Sequence, residues 1–312
     1  MKPFDLSGRN TSEGRQLIMR KLTSKLYYDT NPTSEHSAGD VWFGLPTFGV
    51  LPESTVSGVI VTPACDLSNR KVETVTFLPI VPLVSYLGSI AFLPEIKREL
   101  SQVLRSLSLD VEAEAFLADR FCFPAVDFIS QTHKKLDILQ SQGKEKVRVD
   151  RAMAGVRLVG KEARALGNSE MSDACLLFGK KAFEVLLRKI IGNSFKQDIH
   201  FFPSDGQPED WSAVYEHSVV LFRYALSFPI RILDKAQDMN VVDWSVAVTT
   251  LADYSHCANS FSLLRPMKRA TLRSPFLQEL ITRYVGMLVR TGTPDFSSDT
   301  VETFISELGV AS

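Results

Sequence analysis

Residues 39–82 constrain the fold of this chain most strongly, because they contain three strand-like segments separated by turn residues. The run at 57–62 (SGVIVT) is almost continuously apolar, which is typical of a strand buried on both faces. Segments 40–43 and 72–80 are strand-like on either side of it, and Pro63 ends the middle segment. The pattern predicts a compact β unit that forms part of a small barrel.

The rest of the chain alternates between helical and strand-like regions. Apolar residues recur at helical spacing through most of 83–193, and the clearest helical stripe lies at 171–192. Strand patterns return at 198–203 and 217–228, and in the second of these alternate residues are apolar. Further helices are predicted at 12–29, 241–264, 274–289 and 299–308.

We therefore expect an α+β fold in which residues 39–82 and 198–228 form one small SH3-like β-barrel, accompanied by a large, mostly helical subdomain. In chain order the expected units are a helical lead-in at 1–38, barrel strands at 39–82, a helical subdomain at 83–197, and β segments with C-terminal helices at 198–312. Pairing between strands of 56–80 and strands of 198–228 is the central requirement of this fold.

Composition and charge narrow the class of protein. The 312 residues include 35 Lys or Arg and 36 Asp or Glu, so the formal charge of 35 − 36 = −1 gives no global signal for nucleic acid. The four cysteines are far apart and the N-terminal residues lack an apolar signal core, so we expect a cytoplasmic protein. Residues 74–94 carry no charge, but their prolines would break a spanning helix, and we expect no membrane partner.

The first candidate for chemistry is the pair Cys65-Asp66, which follows the middle strand. A strand-end cysteine beside a carboxylate can act as a catalytic nucleophile, and His200 or His217 from the later strands could serve as its base. The alternative is structural: Cys65 is a small buried hydrophobic residue, and Asp66 forms a turn with the backbone that follows it.

Arg223 is the fourth candidate catalytic residue, because it interrupts an otherwise apolar strand. A half-buried arginine needs a carboxylate partner, for which we expect Asp66 or Asp295. The histidines have no spacing typical of a metal site, and no glycine-rich phosphate loop occurs, so we expect neither a metal nor a cofactor.

A second candidate site is a cluster of four cations before the last long helix: Arg265, Lys268, Arg269 and Arg273. Phe261 and Phe276 lie nearby in the sequence. Basic residues beside aromatic rings can form a nucleic-acid surface, where the cations bind phosphates and the rings stack on bases. The alternative is a charged loop that shields the helix.

The strand motifs resemble those of the MazF/PemK ribonuclease toxins. Residues 39–42 (GDVW), 59–63 (VIVTP) and 78–80 (LPI) occur in the order and spacing of that family's SH3-like barrel. The resemblance implies the barrel fold alone, and the catalytic residues of the family are not carried over. The chain departs from the family at the catalytic positions, with 53–57 (ESTVS) in place of an arginine and 81–82 (VP) in place of a hydroxyl residue.

A second resemblance covers more of the chain. The segments 61–67, 217–223 and 274–294 resemble those of a group of uncharacterised bacterial proteins with a Cys-Asp-Leu step after a strand and a Ser-Pro-Phe helix near the end. The resemblance implies a role in mobile elements or phage defence.

These observations favour a cytoplasmic interaction protein, part of a bacterial conflict system, that recognises a protein or nucleic-acid partner through the barrel rim and nearby basic residues. The alternative is a nuclease-like enzyme that cleaves RNA or DNA at Cys65, Asp66, Arg223 and a histidine. Convergence of these side chains in one pocket would favour the enzyme, and their dispersal would favour the binding protein.

Overall fold

The computed structural model describes residues 26–143, 145–160, 169–208, 212–253 and 255–289. These parts of the chain form an antiparallel sheet with helices in separate stretches of sequence, so the predicted α+β class is confirmed. The predicted helix at 299–308 and most of the one at 12–29 lie outside the described residues.

The sheet has eight strands: β1 (Tyr28–Asp29), β2 (Asp40–Pro46), β3 (Thr55–Ile60), β4 (Thr74–Pro82), β5 (Ile199–Phe202), β6 (Ser218–Leu221), β7 (Leu226–Pro229) and β8 (Met267–Leu272). The α-helices are α1 (Ala64–Ser68), α2 (Leu83–Leu87), α3 (Leu93–Ser106), α4 (Asp110–Ala118), α5 (Val126–Ser141), α6 (Lys146–Val159), α7 (Ser169–Phe178), α8 (Lys180–Ile191), α9 (Arg231–Gln237), α10 (Trp244–Ala252) and α11 (Ser274–Leu288).

Three predicted elements are divided in the structure. The helix predicted at 171–192 is two helices, because Gly179 between them has φ +79° and ψ +140°, a non-helical backbone conformation that glycine adopts readily. The strand predicted at 217–228 is interrupted by a 3-10 turn at Phe222–Tyr224. The helix predicted at 241–264 consists of α10 and a separate 3-10 turn at His256–Phe261.

The two strand regions of the sequence meet in one sheet, as predicted. The strand order is β1-β8-β2-β3-β4-β6-β5, and β7 also pairs with β4. Ile80 of β4 is opposite Val220 of β6, and Phe77 of β4 is opposite Leu226 of β7. Strand β4 therefore joins residues that are about 140 positions apart in the chain.

The expected closed barrel is replaced by an open sheet, in which no described ladder joins the edge strands β1 and β5. The sheet nevertheless curls until its edges meet through side chains. The Tyr27 hydroxyl lies 2.7 Å from Nε2 of His200, and the Tyr28 hydroxyl donates to the Pro203 carbonyl at 2.8 Å. Side chains thus span a gap that backbone pairing does not close.

Both faces of the sheet are buried. On one face Val41, Val59 and Leu78 belong to a core that α11 covers with Leu277 and Leu280. These three residues are neighbours on adjacent strands, and within each strand every second side chain points to the same face. The amphipathic helix that the sequence predicts at 274–289 is therefore the cover of this face.

The opposite face shares one continuous core with the helices. Trp42 and Phe77 of the sheet belong to the same buried cluster as Leu100 of α3 and Val156 of α6. At the other end of this face Phe228 of β7 lies between other aromatic rings, with its ring centroid 5.7 Å from that of Phe77 and 4.9 Å from that of Phe261. The helices are thus held to the sheet by apolar packing.

Among the described glycines, Gly58 in β3 is the one at which an added β-carbon would meet its neighbours most closely. A β-carbon at this position would lie 2.8 Å from Cδ1 of Leu45 and closer still to Cδ2 of Phe77.

We predict that Gly58→Ala lowers the free energy of unfolding by about 1–3 kcal/mol, because both neighbours are buried and must move. Urea unfolding measures this change. The control is Gly286→Ala in α11, where the added carbon meets no atom within 4 Å; equal effects of the two substitutions would contradict the packing argument.

Candidate functional site

Cys65 and Asp66 lie in the short helix α1, which replaces the turn predicted after the middle strand. Cys65 is exposed, and its Sγ lies 3.6 Å from Oδ1 of Asp66. Leu67 is buried and attaches the helix to the core, while Asn69 donates to the Cys65 carbonyl at 2.6 Å. The expectation that Cys65 is buried is therefore wrong.

His200 is fully buried in β5 and contacts Tyr27 through Nε2. Its Nδ1 atom has no hydrogen-bond partner in the part of the chain that the structure describes. Burial, together with the nearby Arg283 guanidinium, lowers the pKa of His200 to about 3. The histidine is therefore neutral at pH 7 and ties the two edges of the sheet together.

Arg223 lies in the 3-10 turn after β6 and pairs with Asp198 at 2.6 Å, neither of the partners expected from sequence. Its side chain is 60 % exposed, so the pair is a surface ion pair of small net value. Asp295 lies outside the described residues.

The four candidate catalytic residues do not converge. Cys65 and Asp66 stand at the end of the β3–β4 hairpin, whereas His200 is buried in an edge strand and Arg223 is paired beside it. No described hydrogen bond or ion pair connects the first two residues with the other two. Among the described residues no group of three or more His, Cys, Asp or Glu side chains could hold a metal ion.

Two of the four predicted nucleic-acid-binding cations have structural roles. Arg265 donates to the backbone carbonyls of Ala236, Asp238 and Val241 at 2.9–3.1 Å. Lys268 forms an ion pair with Asp40 at 2.7 Å, and the two side chains are only 3 % and 1 % exposed. Both charges are already satisfied inside the protein, so neither is free for phosphates.

The other two cations are also in contact with the fold. The Arg269 guanidinium lies 5.2 Å from the ring centre of Phe43, within the range of a cation–π interaction. Arg273 is exposed at the start of α11 and donates to the Tyr28 carbonyl at 3.1 Å. Each of the four cations therefore contacts the fold, and Lys268 and Arg269 lie in strand β8, not in the charged loop of the alternative interpretation.

A groove of about 800 Å³ lies next to α1 and was not predicted from the sequence. Four separate chain segments line it: residues 34–36 before β2, residues 67–74 from α1 to β4, residues 229–234 from β7 to α9, and Leu251 with Ser255 after them. No sequence pattern indicates the groove, because the segments are far apart in the chain and meet through tertiary contacts, among them the pairing of β4 with β7 and the contact of His36 with Asp234.

The lining of the groove combines apolar and charged residues. The apolar members are Leu67, Val72, Ile230, Ile232 and Leu251, and the charged members are Glu35, Arg70, Glu73, Arg231 and Asp234. One wall is fixed by His36, whose Nε2 lies 2.9 Å from Oδ1 of Asp234. This contact joins the loop before β2 to α9.

The His36–Asp234 pair positions the wall and does not offer a free base. The side chain of His36 is 11 % exposed, and its Nδ1 atom is buried without a partner in the described part of the chain. With Nε2 occupied by Asp234, no ring nitrogen is available to a ligand in the groove.

Comparison with protein-family models, with curated proteins and with solved structures found no match to this chain. Among the described helices none is long and apolar enough to cross a membrane.

We predict that acid destabilises the protein partly through His200. The folded-state pKa of about 3 lies below the ordinary value of 6.5, so the unfolded chain binds a proton that the folded chain does not. The contribution to stability is complete above pH 6.5 and falls as the pH decreases towards 3, reaching a loss on the order of 3 kcal/mol at pH 4.5. Urea unfolding at pH 7 and pH 4.5 measures it.

The matched variants for this test are His200→Gln and, at an exposed histidine, His256→Gln. The pH dependence should become weaker in the first variant and stay unchanged in the second. Equal pH dependence of the wild type and His200→Gln would contradict the assignment.

We predict that Lys268→Met lowers the free energy of unfolding by about 3–5 kcal/mol, because it leaves the buried Asp40 carboxylate without its counter-charge. Chemical denaturation at pH 7 measures the change. The control is Lys71→Met, which removes an exposed lysine. A folded Lys268→Met variant of nearly wild-type stability would instead support the surface role expected from sequence.

Proposed function

We propose that this protein is an interaction protein that holds an extended segment of a protein partner in the groove beside α1. The observation that carries the proposal is the composition of the groove, which has an apolar lining and charged residues of both signs. Protein interfaces combine an apolar centre with a polar rim in this way. A volume of about 800 Å³ accommodates several side chains of a peptide.

Charge favours a protein segment over nucleic acid. The groove carries two arginines, Arg70 and Arg231, against the carboxylates of Glu35, Glu73 and Asp234. Binding a polyphosphate backbone requires an excess of free cations, since the affinity comes from neutralised phosphates. The groove has no such excess.

The dispersal of the candidate catalytic residues favours binding over the nuclease alternative. A nuclease would need Asp66 to act together with another ionisable group, and its described side-chain partner is Cys65.

The resemblance of residues 39–82 to the MazF/PemK barrel concerns strand order, and the proposal does not depend on it. The cytoplasmic, defence-related setting is part of the proposal and is supported by the second sequence resemblance.

The test is to pan the purified protein against a phage-displayed library of random 12-residue peptides and to measure the affinity of enriched peptides by fluorescence anisotropy. We predict that Ser68→Trp weakens binding at least about tenfold, because the indole fills the groove that Ser68 lines. The control is Ser106→Trp, at an exposed serine that ends α3 as Ser68 ends α1.

Enriched peptides that bind Ser106→Trp and do not bind Ser68→Trp would support the groove as the peptide-binding site. Failure to enrich any peptide, or equal binding to both variants, would overturn the proposed function.

A further inference from the structure

Four described helices end at a residue with a left-handed backbone. These residues are Arg70 after α1, Ser108 after α3, Gly143 after α5 and Asn193 after α8, with φ values of 49°, 59°, 67° and 53°. At the first of them the Arg70 amide donates to the Leu67 carbonyl at 3.1 Å, and the next amide donates to the Asp66 carbonyl at 2.9 Å. This is the hydrogen-bond pattern of a Schellman C-cap.

Arginine is poorly suited to this position. Glycine is preferred there because it has no β-carbon to clash in the left-handed conformation, and asparagine is the next best choice. Gly143 and Asn193 follow this preference, whereas Arg70 and Ser108 do not. Helix α1 therefore ends at a residue that makes its own C-cap less stable than glycine would.

The Arg70 side chain shows no compensating contact with the protein. It is exposed and lines the groove, and within the described residues its guanidinium has no hydrogen bond or ion pair. By contrast, the guanidinium of Arg265 donates to three backbone carbonyls, as does that of Arg283. Packing of the fold therefore does not explain an arginine at position 70.

Arg231 reaches the groove from the same end of the sheet. Thr74 of β4 pairs with Pro229 of β7, Arg70 lies four residues before the first, and Arg231 lies two residues after the second. Arg231 also lines the groove, is exposed, and has no hydrogen bond or ion pair among the described residues. The groove thus presents two guanidinium groups that form no hydrogen bond or ion pair with the described protein, beside carboxylates of the same lining.

We propose that Arg70 and Arg231 form a carboxylate-binding subsite in the groove, which selects a partner segment carrying Asp or Glu. The proposal rests on the proposed function of the groove. Guanidinium groups match carboxylates in shape and charge, and each can donate two parallel hydrogen bonds to one carboxylate. The carboxylates of Glu35 and Glu73 line the same groove but form no described ion pair with either arginine.

Arg70→Gly separates this role from a structural one, because its two effects have opposite signs. Glycine relieves the left-handed strain, so the melting temperature should rise by about 1–3 °C. The same substitution removes a guanidinium from the subsite, so the affinity for the enriched acidic peptides should fall at least about tenfold. A residue that only stabilised the fold would lower both.

Two control variants separate the effect of the charge at position 70 from the effect of the backbone strain. Ser108→Gly makes the same backbone change at the end of α3, outside the groove lining, and should raise the melting temperature without changing affinity. Arg70→Lys keeps the charge and the strained backbone, so it should leave the melting temperature unchanged and retain part of the affinity. Arg231→Gln should weaken binding of the same peptides.

The probes are the 12-residue peptides enriched by panning, each compared with a version in which Asn and Gln replace Asp and Glu. The subsite is supported if the wild-type protein binds the neutral version more weakly than the acidic version and if this difference disappears in Arg70→Gly. Enriched peptides without acidic residues, equal affinity of the two versions, or a lower melting temperature of Arg70→Gly would overturn it. In these cases a loss of peptide binding in Ser68→Trp still supports the groove as the binding site. Failure to enrich any peptide overturns the proposed function itself.

Discussion

The ion pair between Asp40 and Lys268 is the interaction on which the arrangement around the groove depends. It joins β2 to β8, and Thr271 of β8 donates to the same carboxylate at 2.8 Å. Lys268 also donates to the carbonyls of Thr33 at 3.1 Å and Glu35 at 2.5 Å, so the buried ammonium group fixes the loop before β2. That loop carries His36 and Glu35 into the wall of the groove. A charge inside the sheet thus determines the shape of a surface site.

Cations in this protein have two distinct uses. Arg265, Lys268 and Arg283 donate to backbone carbonyls and so hold loops and helix ends in place. Arg70 and Arg231 are exposed and have no such partners among the described residues. Sequence composition counts all five equally, yet only the last two have charges that remain for a ligand. The formal net charge of −1 therefore says little about any one surface.

The end of α1 combines an exposed cysteine with a strained backbone. The turn that follows the exposed Cys65 places Arg70 in a left-handed conformation that glycine would occupy more favourably. Its neighbours Leu67 and Val72 contribute apolar surface to the groove. The short surface helix, which the sequence predicts as a turn with catalytic residues, is one wall of the groove in the structure, and under the proposed function its strained residue Arg70 faces the partner.

The α+β class, the approximate positions of the strands and the helix that covers one face were predictable from the sequence, because they follow from local apolar periodicity. The meeting of the two strand regions was predictable for another reason, which is that a few short strands need further strands beside them to be stable. The open sheet, the burial of Lys268 and the link of His200 between the two edges became known from the folded chain alone. The tertiary structure also decided that four distant segments form a groove. The physical reason is that each of these features depends on contacts between residues far apart in the chain, about which local periodicity carries no information.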